Sequence, residues 1–174
     1  MRFNYYLCGL ALLLVVGGCA TTEDRDKKKE ASTLRLHLEA DPDDGKNTSM
    51  VPIYRNTPVA VSIQKAPFLD EGNLINAAVV DVIGGFAIQV QYDFRGKLAL
   101  ESTTAANRGR KVAVFSQFTE GRWLAAPMIN KRIDDGVFTF TPDATREEAE
   151  RIVNGLNNIA VTLGNRQKDP KKKK

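Results

Sequence analysis

The stretch AAVVDVIGGFAIQVQYD, residues 77–93, constrains the fold more than any other. Two runs rich in β-formers flank Gly84-Gly85, the residue pair that a two-residue hairpin turn with positive φ prefers. In the second run Phe86, Ile88, Val90 and Tyr92 share one face, with Gln89 and Gln91 on the other. An isolated two-stranded ribbon is marginally stable in water, so the rest of the chain must supply surfaces against which this apolar face is buried.

Several further segments carry the same two-residue period. In TLRLHLEA, residues 33–40, Leu34, Leu36 and Leu38 alternate with Arg35, His37 and Glu39. That is a half-buried strand, with His37 expected on its solvated side. PVAVSIQK, residues 58–65, repeats the pattern through Val59, Val61 and Ile63. KVAVFSQF and RWLAAPM, joined around Glu120-Gly121, read as two more strands, and Gly136 opens another at VFTF. Pro127 is tolerated only where its strand stops or lies at an edge. Asp134-Asp135-Gly136 is turn chemistry.

Two helices are expected. The first runs from about Arg95 to Asn107, with Phe94, Leu98 and Ala105 near one side and Gly109 as a stop. The second opens on a capping box, Thr145-Arg146-Glu147-Glu148, and carries Ala149, Ile152, Val153 and Leu156 on one stripe. Antiparallel strands with two amphipathic helices over one face of the sheet make an α+β fold.

The N-terminal segment speaks to location. A short basic region precedes an apolar run from Tyr5 to Val16, too short to span a bilayer and suited to a secretory signal. Val16-Gly17-Gly18-Cys19 resembles a bacterial lipobox. The resemblance implies cleavage between Gly18 and Cys19, with Cys19 modified by diacylglycerol and N-acylated, as with palmitate. Several acyl chains on one residue hold a protein on a membrane effectively permanently. No aspartate follows Cys19, which favours the outer membrane over the inner, with the protein facing the periplasm. Cys8 falls in the signal, so the mature domain is expected to hold no disulfide and no thiol site.

These features divide the chain into a signal peptide (1–18), a lipidated cysteine with a charged tether (19–31), one α+β domain (32–164) and a lysine-rich tail (165–174). Residues 32–164 hold 14 Lys and Arg against 16 Asp and Glu, so the basic pI belongs to the tail. A nucleic-acid-binding domain needs its positive charge on the fold itself, and none is expected as a partner here.

One longer stretch resembles a known family. Thr104-Ala105-Ala106-Asn107-Arg108-Gly109-Arg110, Ala126-Pro127, Ile133-Asp134-Asp135-Gly136 and Glu147-Glu148-Ala149 occur in the order seen in the head of the periplasmic P1 domain of SecD, a membrane subunit of protein export. VSIQKAPFLDEGNLINAAVVD is similar to the segment leading into that domain, so the likeness covers about residues 58–158. The resemblance implies the fold and a habit of touching polypeptide that emerges into the periplasm. It brings no catalytic residue. SecD's proton-coupled bundle of membrane helices has no counterpart in this chain, so coupled transport is not implied.

The inventory for catalysis is thin. DPDDGK is similar to a calcium loop, but its glycine comes one place early and Pro52 stands where the bidentate glutamate belongs, so no metal site is expected. No nucleophile–base pair, Walker loop or dinucleotide fingerprint is present, and no cofactor is expected. The leading expectation is a non-catalytic envelope lipoprotein that binds protein partners or unfolded polypeptide. Phe118, Trp123 and Pro127 are its candidate contact residues, through an extended peptide added at a sheet edge near Pro127. For Trp123 plain core packing is the favoured reading. Two alternatives stay open: a structural lipoprotein joined to the cell wall by its lysine tail, and a hydrolase working through Asp134 and Asp135.

Overall fold

The computed structural model describes residues 30–43 and 45–166. Gly18 and Cys19, most of the expected tether and residues 167–174 of the lysine tail lie outside the described residues. The fold is α+β, built from antiparallel strands and two helices, as the sequence pattern requires. The strands form three small sheets rather than one. Strands β1 (Thr33–Leu38), β6 (Val112–Gln117) and β7 (Gly121–Ala125) form the first, in the order β1-β6-β7. Strands β2 (Thr48–Ile53) and β3 (Val59–Gln64) form a hairpin of their own. Strands β4 (Leu74–Val82), β5 (Gly85–Tyr92) and β8 (Val137–Phe140) form the third, in the order β4-β5-β8.

The β4–β5 hairpin turns through Ile83 and Gly84, with Val82 paired to Gly85. Gly84 takes φ +87°, a conformation in which a Cβ would be strained. Helix α1 (Phe94–Ala106) starts where the Asp93 carboxylate accepts from the Gly96 amide at 2.7 Å. Helix α2 (Arg146–Thr162) is capped by Thr145, whose hydroxyl accepts from the Glu148 amide at 3.2 Å. The reciprocal half of the expected capping box is not made, because the Glu148 carboxylate is engaged by Arg122 and Arg55. Gly164, at φ +79°, closes the helix and lets the Asn165 amide reach the Ala160 carbonyl.

Ala149, Ile152, Val153 and Leu156 of α2 are buried, as their spacing predicts. They pack with Leu34, Leu36, Ile88, Val90, Leu100 and Val114 into the main core. Each such aliphatic side chain contributes about 1.5–3 kcal/mol by leaving water.

A second, smaller core lies on the other face of the β1-β6-β7 sheet. There Val51, Ile53, Val61 and Ile63 of the β2–β3 hairpin cover Ala113, with Trp123 and Ala126 at the margin. The chain enters the body at residues 30–32, which cross α2 at Gly155. The Asn158 carboxamide donates to the Glu30 carbonyl there at 2.9 Å, and Arg151 Nε meets the Glu30 carboxylate at 2.9 Å.

Candidate functional site

The three candidate contact residues occupy different places. Trp123 stands under the β2–β3 hairpin, edge-on to Phe115 (centroids 5.1 Å apart) and to His37 (5.2 Å). It is a packing residue of the second core. Phe118, just beyond β6, packs against the main core, with the Arg151 guanidinium 4.7 Å from its ring centroid. Pro127 follows the end of β7, and its carbonyl accepts from the Val112 amide at 2.9 Å. Phe118 and Trp123 therefore serve opposite sides of one sheet and do not form a joint surface.

His37 is not the solvated residue its strand position suggests. It is only 7% exposed. Its Nδ1 lies 2.9 Å from the Gln64 carbonyl. The polar side of β1 is roofed by the β2–β3 hairpin, and β2 carries too little alternation to be read as a strand. Burial lowers the imidazole pKa below its ordinary value of 6.5; the Gln64 carbonyl opposes this and nearby Arg35 adds to it.

Below Phe118 a cleft of about 250 Å³ opens between the β6–β7 turn and α2, lined by Phe118, Arg55, Arg122, Ser116, Glu148 and Ile152. Its charged groups are committed to one another. Arg122 bonds one oxygen of Glu148, and Arg55 approaches the other at 3.3 Å. The Arg55 amide donates to the Asp143 carboxylate at 2.7 Å, and Arg122 donates to the Asp143 carbonyl at 2.6 Å. Tyr54, immediately before Arg55, takes φ +72°, the one positive φ outside glycine among the described residues. That left-handed conformation costs a non-glycine residue about 1–2 kcal/mol, and it presents Arg55 to the cluster. The arrangement joins the end of β2, β7 and the start of α2. Such a charge-paired set is a structural tie and offers no free acid, base or nucleophile.

The sheet edge near Pro127 is partly taken, because the Leu124 carbonyl already accepts from the Asp143 amide at 2.7 Å. The turn at residues 134–136 is as expected, with the Asp135 carboxylate accepting from the Val137 amide at 2.9 Å and Gly136 at φ +77°. Among the described residues no group of His, Cys, Asp and Glu is placed to hold a metal ion. None of the described helices is long and apolar enough to cross a membrane.

Helix α1 reverses the side expected of it. Gly96, Leu100 and Thr104 face the core, whereas Phe94 is 73% exposed and Leu98 48% exposed. Ala105 is exposed on the same side. A shallow groove of about 500 Å³ runs along this outer face, lined by Leu98, Ala99, Glu101, Ser102, Ala105 and Arg132.

No protein-family model matches the chain, and no curated protein matches it significantly in sequence. Solved structures do. A structure described as that of a membrane component SecDF that enhances protein export superposes with a TM-score of 0.55 at 18% identity, over 83% of this chain and 71% of the other. SecDF in a super-membrane-facing form gives a TM-score of 0.56 at 18% identity over 79% of this chain. The chain spans 21% of that second structure's length. The fold is SecD-like.

Proposed function

We propose that this chain is a lipoprotein of the cell envelope, attached through Cys19 and facing the periplasm from the outer membrane. It works there by binding protein partners or exported polypeptide, as an accessory to protein export, and not by catalysis. The likeness of nearly the whole described body to SecDF carries this reading. The lipobox-like residues before Cys19 support the anchor. The mutual pairing of Arg55, Arg122, Asp143 and Glu148 supports a role by contact, since these groups hold elements together.

Phe118 is half-buried beside its cleft, between the exposed residues Gln117 and Thr119. A photocrosslinking amino acid placed at Gln117 or Thr119 tests contact there in living cells. Reproducible adducts with exported polypeptides are expected. Their absence from both positions overturns the polypeptide reading. Mass spectrometry of the mature N-terminus tests the anchor separately, and an unmodified Cys19 overturns it.

A further inference from the structure

Helix α1 is apolar on two opposite sides, and only one of them is covered. Leu100 fills the inner side with no exposure, while Phe94, Leu98 and Ala105 form a stripe that faces outward. Seven of the body's cations lie in the segments bordering this stripe: Arg95, Lys97, Arg108, Arg110, Lys111, Lys131 and Arg132. Arg110, Lys111 and Arg132 are held by Asp41, Glu39 and Glu101. Among the described residues Arg95, Lys97, Arg108 and Lys131 form no ion pair; elsewhere on the body Arg55, Arg122, Arg146 and Arg151 do, and Arg35, Lys46 and Lys65 do not. The opposing acids near the stripe are Glu101, Asp41 and Glu39, already paired, Asp93, whose carboxylate caps the helix, and Asp134 and Asp135 in the turn before Gly136, which lies against Lys97.

We propose that this face of α1 docks on an anionic phospholipid surface. The helix is not amphipathic as a whole, because Leu100 lies on its covered side, but an exposed aromatic and aliphatic stripe bordered by cations can enter the headgroup boundary while the cations meet lipid phosphates. The whole body carries a slight acidic excess, so this cationic border is a local feature and not a reflection of overall charge. The docking is independent of the polypeptide reading and does not require the anchor at Cys19. An anchor would hold the domain near the bilayer, and α1 would decide which side faces it.

The full chain, reconstituted with vesicles of phosphatidylglycerol or of phosphatidylcholine, tests the proposal through indole fluorescence. Phe94→Trp adds a reporter on the stripe, and Ile83→Trp adds one at the exposed hairpin tip, with the parent Trp123 as background. The Phe94→Trp signal is expected to shift to the blue and to be quenched by brominated phosphatidylglycerol, but not by brominated phosphatidylcholine. The Ile83→Trp signal is expected to stay unquenched in both. Each cation near an anionic surface contributes about fivefold. Adding Arg95→Gln and Lys131→Gln should therefore lower the ratio of docked to undocked domain about 25-fold. No quenching at position 94, equal quenching in both lipids, or equal quenching at position 83 overturns the proposal. Quenching with phosphatidylglycerol in a chain that does not associate with phosphatidylcholine vesicles supports docking and counts against the anchor.

Discussion

Replacing Gly155 with alanine sets two physical arguments against each other. Intrinsic helix propensity favours the change by about 1 kcal/mol, because glycine in a helix interior loses more backbone freedom than alanine. The crossing of residues 30–32 over α2 opposes it. A Cβ at position 155 would lie 2.5 Å from Ser32 Oγ, 2.8 Å from Ser32 N and 2.9 Å from the Ala31 carbonyl carbon. Two of those atoms are backbone and cannot rotate aside. Overpacking of this kind costs about 1–3 kcal/mol. If the segment lifts away instead, it gives up the Asn158–Glu30 hydrogen bond and the burial of Ser32. A hydrogen bond contributes about 1 kcal/mol, and the partly exposed Arg151–Glu30 pair adds only a few tenths. The overpacked route costs up to about 3 kcal/mol and the lifted route about 1.5 kcal/mol, so the cheaper one sets a net loss of about 0.5 kcal/mol after the propensity gain. For a body of this size the melting temperature should fall by about 2 °C. Thermal unfolding followed by far-UV circular dichroism measures it, with Asn154→Ala on the exposed side of the same helix as the reference. A rise for Gly155→Ala comparable to that of Asn154→Ala would refute the close crossing.

Three other outcomes follow from the same structure. Burial holds the folded His37 pKa below 6.5, so the unfolded chain takes up a proton first as pH falls. Stability present above pH 6.5 is therefore lost as pH falls from 6.5 through the folded pKa, and His37→Gln should show a smaller drop in melting temperature between pH 7.5 and pH 5. Leu156→Ala, at a fully buried position of α2, should cost about 2–5 kcal/mol in urea unfolding. Tyr54→Gly relieves a left-handed residue, so it should leave stability unchanged or raise it by up to about 1 kcal/mol, where a glycine in an ordinary loop would lower it.

Elements whose burial pattern matches a single period were legible. β1 and α2 bury the residues their spacing selects, the β4–β5 hairpin does so through Ile88, Val90 and Tyr92, and β3 does so at Val61 and Ile63 but leaves Val59 exposed. β2 was not, because Pro52 interrupts it and only Val51 and Ile53 point inward. Missing β2 concealed the second core, and with it the surroundings of His37 and Trp123. α1 misled for a different reason. Its inner side is made of Gly96, Leu100 and Thr104, a weaker apolar signal than the outer Phe94 and Leu98. Gly96 is there because a Cβ would meet Tyr92 Cβ at 2.8 Å, a constraint that hydropathy does not encode. The Arg55–Arg122–Asp143–Glu148 cluster draws on three separate parts of the chain, the end of β2, β7 and the start of α2, and has no local sequence mark. Glu148 alone was singled out, for a capping bond that its arginine partners displace.

Three flanks of these small sheets are blocked by means that sequence reading does not single out. Asn157 meets both the amide and the carbonyl of Ala77 on the outer side of β4, each at 2.9 Å, as a neighbouring strand would. Pro52 brings no amide to β2, and Asp143 occupies the Leu124 carbonyl of β7. Bare flanks of this kind are where identical chains join into growing ribbons. If the chain is anchored as proposed, molecules crowded into the two dimensions of a membrane surface would meet one another constantly, and these stoppers would oppose their joining through the sheet edges.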